Sequence, residues 1–176
     1  NYDGQLRDDA RLVTAIARTA ASYGATILTR VRCETASGTS ATLIDELTGD
    51  SFELPAHAVV NATGVWAAEL ATNIKIRPSR GTHLVLDAAK LGTPTGSLTV
   101  PVPGHTNRFC FVLPAEHNRV YIGLTDEDAP GPIPDVPEVP EDDIVFLLDV
   151  INQALEVPLT RDDVIGAFAG LRPLID

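Results

Sequence analysis

The segment Ile76-Arg77-Pro78-Ser79-Arg80-Gly81-Thr82-His83 gathers two arginines and a histidine around a proline and a glycine, just before an apolar run. A guanidinium presents a planar fork of N–H donors that matches the oxygens of phosphate or carboxylate, so this cluster suits an anion. It equally suits a solvated basic loop paired with an acidic surface. A further arginine, Arg172, closes an apolar run and precedes Pro173, where it either points into a cleft or pairs locally. Asn61-Ala62-Thr63-Gly64 ends another apolar run. Small residues at a strand end let the phosphates or ribose of a nucleotide approach the backbone closely; an ordinary strand-to-helix turn reads the same way. His57, His105 and His117 sit in polar stretches without a metal-ligand spacing. No GxSxG elbow or Cys-His arrangement supports covalent hydrolysis.

These residues need elements to position them. Apolar Leu12, Ile16 and Ala20 recur at helical spacing behind Asp8 and Asp9, and Gly24 follows as a stop, which predicts a helix over 8–23. Residues 25–31 are short and β-branched and predict a strand. Residues 41–45 and 51–54 flank Thr48-Gly49-Asp50 as a hairpin. Residues 58–64 predict an apolar strand ending on a glycine turn, with a short helix from Val65. From residue 75 the texture changes to short strands over 83–86, 97–102, 108–113 and 119–124, the pattern of an antiparallel meander with one face covered by a helix. Residues 126–143 hold eight acidic residues and no basic one, with five prolines between 130 and 140. Such a run forms an extended surface loop, and it lacks the alternating ligand order of a calcium-binding loop. Ile144, Leu147, Leu148, Ile151 and Leu155 then mark an amphipathic helix over 141–155, and residues 163–170 a last strand.

The chain has 176 residues, 44% hydrophobic and 21% charged, the composition of a folded domain or two small lobes. Its net charge of −11 argues against nucleic acid and against electrostatic docking on anionic lipid. No apolar run approaches the roughly 18 residues of a membrane span. Two cysteines, Cys33 and Cys110, are too few for a disulfide framework or a metal cluster, and a reducing, cytoplasmic compartment is expected. The chain has no methionine and starts at Asn1 inside what reads as a motif; we expect a piece of a longer protein.

Several of these segments, taken in order, resemble the FAD-dependent glycerol-3-phosphate dehydrogenases and oxidases of the aerobic type. The matching residues are Tyr2-Asp3-Gly4-Gln5 with Asp8-Asp9-Ala10-Arg11-Leu12, Gly24-Ala25 with Leu28-Thr29-Arg30, and Val60-Asn61-Ala62-Thr63-Gly64-Val65-Trp66. They continue with Arg77 and Gly81-Thr82-His83, Ile122-Gly123-Leu124-Thr125-Asp126, and Gly170-Leu171-Arg172-Pro173-Leu174. The resemblance implies an α+β fold, a mainly antiparallel sheet with a packed helix joined to a partial α/β lobe. Residues 1–74 would be the partial FAD-binding lobe, 75–164 the substrate lobe and 165–176 a strand returning to the FAD lobe. It implies oxidation of sn-glycerol 3-phosphate to dihydroxyacetone phosphate by hydride transfer to FAD, with quinone or oxygen as electron acceptor. Arg77 and Arg172 fall where the family contacts substrate, with His83 and Thr125 lining the pocket. Ala62, Thr63 and Gly64 would pass close to the flavin nucleotide, with Val31 and Arg32 near the adenine. Peripheral association of the whole enzyme with the inner face of the cell membrane is also implied.

Two departures from the family pattern stand out. Arg80 replaces a lysine common in relatives, and Leu124 replaces a threonine in the Gly-Thr-Thr-Asp run. The family's Gly-x-Gly-x-x-Gly turn and its later Gly-Gly-Lys segment are missing, so this chain is expected to be a central fragment that alone neither holds FAD tightly nor turns over substrate. Apolar surface left bare would favour self-association. An FAD-dependent amine or amino-acid oxidase is the alternative within this fold, using a single arginine for a carboxylate. A non-catalytic interaction module built on the sheet and the acidic loop is the alternative outside it.

Overall fold

A computed structural model describes residues 8–71 and 73–175, so the Tyr2-Asp3-Gly4-Gln5 motif lies outside the described residues. The chain divides into two compact units between Ile74 and Lys75.

The first unit opens with helix α1 (Asp9–Ser22). Asp8 caps it by accepting from the Arg11 backbone N–H at 3.0 Å, which satisfies one of the orphan amides of the first turn. Gly24, at φ +93, follows the helix end. None of the residues of α1 is buried, and Leu12, Val13 and Ile16 are exposed. A three-stranded antiparallel sheet follows, in the order β1 (Val31–Ala36), β2 (Ser40–Asp45), β3 (Ser51–Pro55). The β2–β3 hairpin and its Gly49 turn (φ +82) are as expected. Two expected strands do not form. Over 25–30 no described strand offers a ladder, and Arg30 at φ 60 turns the chain just before β1 begins. Over 58–63 the Asn61 side chain folds the backbone into a turn: its Nδ2 donates to the Ala67 carbonyl at 2.9 Å, and its Oδ1 accepts from the Thr63 hydroxyl at 2.7 Å. A 3₁₀ turn (Gly64–Trp66) and the short helix α2 (Ala67–Leu70) follow.

The second unit is built on the 12-residue strand β4 (Ile76–Asp87). The meander expected from the sequence supplies β5 (Leu98–Pro101), β6 (Phe109–Ala115) and β7 (Arg119–Gly123). A two-residue strand β8 (Glu127–Asp128), helix α3 (Glu141–Asn152) and a second 12-residue strand, β9 (Val164–Ile175), complete it. The sheet order is β5-β6-β7-β4-β8, with β9 along the other edge of β4 and every pairing antiparallel. Within the last expected strand, Gly166 to Ile175 run antiparallel along β4 from Val85 to Ile76.

Alternation along β4 explains the core. Leu84 and Leu86 point to one face, where they meet Val112, Val120 and Ile122 of the neighbouring strands and Leu147 and Ile151 of α3. All of these are at most 1% exposed, and each contributes about 1.5–3 kcal/mol by leaving water. Glu141, Asp142 and Asp143 occupy the first turn of α3, where negative charge meets the positive end of the helix dipole.

Candidate functional site

The two faces of β4 separate residues that look like one cluster in the sequence. Arg77, Ser79, Gly81 and His83 share one face, and Arg80 and Thr82 share the core face with Leu84 and Leu86. Register brings partners to the first face. Ser79 lies opposite Arg172, Gly81 opposite Gly170 and His83 opposite both Phe168 and Gly123. Arg77, His83 and Arg172 therefore share one surface of the sheet, while Arg80 lies on the other.

Arg80 is committed to structure. Its Nε and Nη2 donate to the two carboxylate oxygens of Asp143 at 2.9 and 3.1 Å, and its side chain is 20% exposed against 6% for Asp143. Thr82 donates its hydroxyl to the same carboxylate at 2.5 Å, and the Thr125 hydroxyl lies 3.4 Å from it. Burial pushes the Asp143 carboxyl up, but the hydrogen bonds from Arg80, Thr82 and Thr125 outweigh it and hold the group below the usual carboxylate range. Asp143 in turn raises the Arg80 guanidinium, chiefly through its hydrogen bond. This bidentate pair ties the first turn of α3 to β4.

Thr125 belongs to that network by its side chain. It is 1% exposed; its hydroxyl accepts from the Thr82 backbone N–H at 3.0 Å and shares its one proton between the Arg80 carbonyl at 3.2 Å and the Asp143 carboxylate at 3.4 Å. The Thr125 hydroxyl, expected at the pocket wall, is thus spent inside the sheet. Its carbonyl reaches the other side and accepts from Arg172 Nη2 at 2.8 Å.

Arg172 is held at three points. Besides the Thr125 carbonyl, its Nη1 donates to the Ser79 hydroxyl and to the Asp126 carboxylate, each at 3.0 Å. Ser79 donates its own proton to Asp126, which closes the triangle. These bonds take three of the five guanidinium donors and leave Nε–H and one Nη2–H for a ligand. Arg77, half-exposed, pairs with Asp128 on β8. The His83 ring stacks on Phe168 with centroids 5.0 Å apart and an interplanar angle of 11°, and Tyr121 meets Phe168 edge-on at 5.5 Å. The surface therefore offers cationic donors beside an aromatic wall, the equipment for a small organic anion. Ser79 and Asp126 escaped the sequence reading. Alternation along β4 would have placed Ser79 beside Arg77, but its pairing with Arg172, 93 residues away, has no local signal.

The residues expected near a nucleotide lie in the first unit. Ala62 and Gly64 are exposed and Thr63 is half-buried. Asn61 pins this turn, Gly64 adopts φ +60, and a side chain placed at Gly64 would meet nothing within 4 Å. The backbone here faces open space, which fits the close approach of a nucleotide. Val31 and Arg32 lie on β1, an edge strand of its sheet. Arg32 is paired with Glu46 at 2.7 Å, which raises its guanidinium further, so a nucleotide there would meet backbone rather than a ready guanidinium. Among the described residues no helix is long and apolar enough to cross a membrane.

The chain is similar to known proteins in sequence and in fold. The profile of the FAD dependent oxidoreductase (DAO) family matches residues 1–176. The chain is 59% identical to glycerol-3-phosphate dehydrogenase 1 of Mycobacterium tuberculosis over 175 residues, covering 99% of this chain and 34% of that protein. It is 36% identical to alpha-glycerophosphate oxidase of Streptococcus pneumoniae, covering 96% and 29% respectively. The fold superposes with a TM-score of 0.84 on glycerol-3-phosphate dehydrogenase of Bacillus halodurans complexed with FAD, at 31% identity over 96% of this chain and 36% of that one. The chain thus spans about a third of the length of the relatives it matches.

Proposed function

This chain belongs to the FAD-dependent oxidoreductase family, and from that premise we propose that it carries the substrate-binding part of an enzyme that oxidises sn-glycerol 3-phosphate to dihydroxyacetone phosphate. The observation that carries this reading is Arg172, clamped at three points with two donors to spare, on the same sheet face as Arg77. A phosphate takes bidentate guanidinium bonds well, and a clamped fork loses little entropy on binding it. The relatives named for glycerol phosphate support the same assignment.

Arg172 and Arg77 then bind the phosphate and orient the glycerol carbons above the His83–Phe168 stack. Thr125 acts through its carbonyl by fixing Arg172, and the aromatic wall of Phe168 and Tyr121 limits water. FAD, when bound, supplies the acceptor for the hydride leaving C2. Ala62, Thr63 and Gly64 would hold its nucleotide by backbone approach, with Val31 and Arg32 near the adenine. Residues 1–74 serve as part of the FAD-binding lobe and 75–164 as the substrate lobe. Quinone or oxygen takes the electrons onward, and the whole enzyme works at the inner face of the cell membrane as a peripheral protein.

The test is glycerol 3-phosphate-dependent dye reduction by the full-length, flavin-loaded enzyme. Arg172→Ala should lower kcat/KM by about 2–4 kcal/mol of transition-state stabilisation. Reduction of dye by an amine or amino acid in place of glycerol 3-phosphate would transfer the chain to the amine-oxidising branch, with Arg172 as a carboxylate anchor.

A further inference from the structure

We infer that Gly81 is the positioning residue for Arg172: its bare Cα is the seat on which the guanidinium lies. The inference rests on Arg172 anchoring the substrate phosphate. Gly81 faces Gly170 across the β4–β9 ladder, and Arg172 stands two residues further along β9 on the same face. Its side chain therefore reaches back diagonally over Gly81. A Cβ built on Gly81 would stand 2.3 Å from Arg172 Nη2, 3.0 Å from Arg172 Cζ and 3.0 Å from Leu124 Cδ1. No ordinary side chain coexists with the guanidinium in that place.

The backbone at Gly81 does not itself demand glycine, since Gly81 is not among the residues with positive φ. Glycine inside a strand weakens it and marks a close approach of another group. Here the approaching group is Arg172. The seat and the three acceptors do different work: Ser79 Oγ, Asp126 and the Thr125 carbonyl pull the guanidinium down, and Gly81 leaves room for it to arrive. Together they aim the two remaining donors. Adding one methyl group at Gly81 displaces the far end of a flexible side chain, which the sheet tolerates, and tips the fork off its clamp.

The experiment is a double-mutant cycle in the full-length, flavin-loaded enzyme, with dye reduction by glycerol 3-phosphate and inhibition by inorganic phosphate as readouts. Gly81→Ala should keep the flavin absorbance spectrum, raise KM about tenfold with a smaller fall in kcat, and weaken phosphate inhibition in parallel. In an Arg172→Ala background the same substitution should change nothing further. An equal effect of Gly81→Ala in both backgrounds would mean a general structural role and overturn the inference. So would a Gly81→Ala enzyme with unchanged KM beside an impaired Arg172→Ala enzyme, or a Gly81→Ala chain that accumulates no folded, flavin-loaded protein. An Arg172→Ala enzyme indistinguishable from wild type would overturn the substrate reading itself, and the seat with it.

Discussion

Two arginines three residues apart in sequence, Arg77 and Arg80, have opposite fates because a strand sends alternate side chains to opposite faces. Arg77 stays on the open face, and Arg80 is spent on Asp143 in the interior. Removing one partner of such a buried pair leaves the other charge uncompensated, at about 3 kcal/mol or more. Asp143→Asn should therefore destabilise the second unit by about that amount at neutral pH, as read by urea denaturation. Because the folded carboxyl is held below its unfolded value, the stability it contributes is complete above about pH 4 and is lost as pH falls through the lowered folded value. The gap between wild type and Asp143→Asn should narrow below about pH 4; a gap constant from pH 7 to pH 2 would rule out the ion pair as its source. Asp163 follows the same sign. Held at about 2 by Lys90 and by Thr160, it contributes stability that is present above about pH 4 and disappears toward pH 2.

At the scale of elements, β4 is the spine. It pairs with β7, β8 and β9 and carries the candidate anion site on one face and the hydrophobic core on the other. Helix α3 covers the core face through Leu147 and Ile151, both fully buried. Leu147→Ala should cost about 2–5 kcal/mol, because the lost transfer energy is joined by the cavity left under the sheet. A loss below 1 kcal/mol in denaturant titrations would show that α3 is not the lid of this core. Helix α1, its strong amphipathic pattern notwithstanding, covers nothing comparable. Periodicity in sequence announces that a face wants a partner and is silent on which partner. For the same reason the apolar runs over 25–31 and 58–64 read as strands. A strand exists only where a neighbouring edge completes its hydrogen bonds; no described strand pairs with 25–30, and over 58–63 the Asn61 side chain, accepting from the Thr63 backbone N–H and donating to the Ala67 carbonyl, holds a turn instead.

At the scale of the molecule, stability should be distributed unevenly between the two units. The first has Val65 as its one buried hydrophobic residue among those described, and the second holds the remainder of the core. Local opening free energy follows buried apolar contact. Amide hydrogen exchange of this chain should accordingly be slowest in β4, β7 and α3 and markedly faster throughout α1 and β3. Equal protection in α1 and α3 would contradict the burial pattern. The net charge of −11 gives the candidate anion site a particular setting. Seven arginines are drawn into ion pairs with carboxylates among the described residues, so affinity for an anion depends on how a guanidinium is held more than on bulk charge.

From the sequence alone came the family, the meander, the hairpin, α1 with its cap, α3, and the residue types able to grip a phosphate. All are local: a cap, a glycine turn or an alternating run is encoded within a few neighbouring residues, and the ordered motifs are read directly. The tertiary structure decided which of the cations share a face, that the Thr125 hydroxyl is consumed in the interior while its carbonyl reaches Arg172, and that Ser79 and Asp126 complete the clamp. Those outcomes depend on the register between β4 and β9, which lie some 90 residues apart. A shift of one residue would send every side chain to the opposite face, and no short-range pattern records that choice.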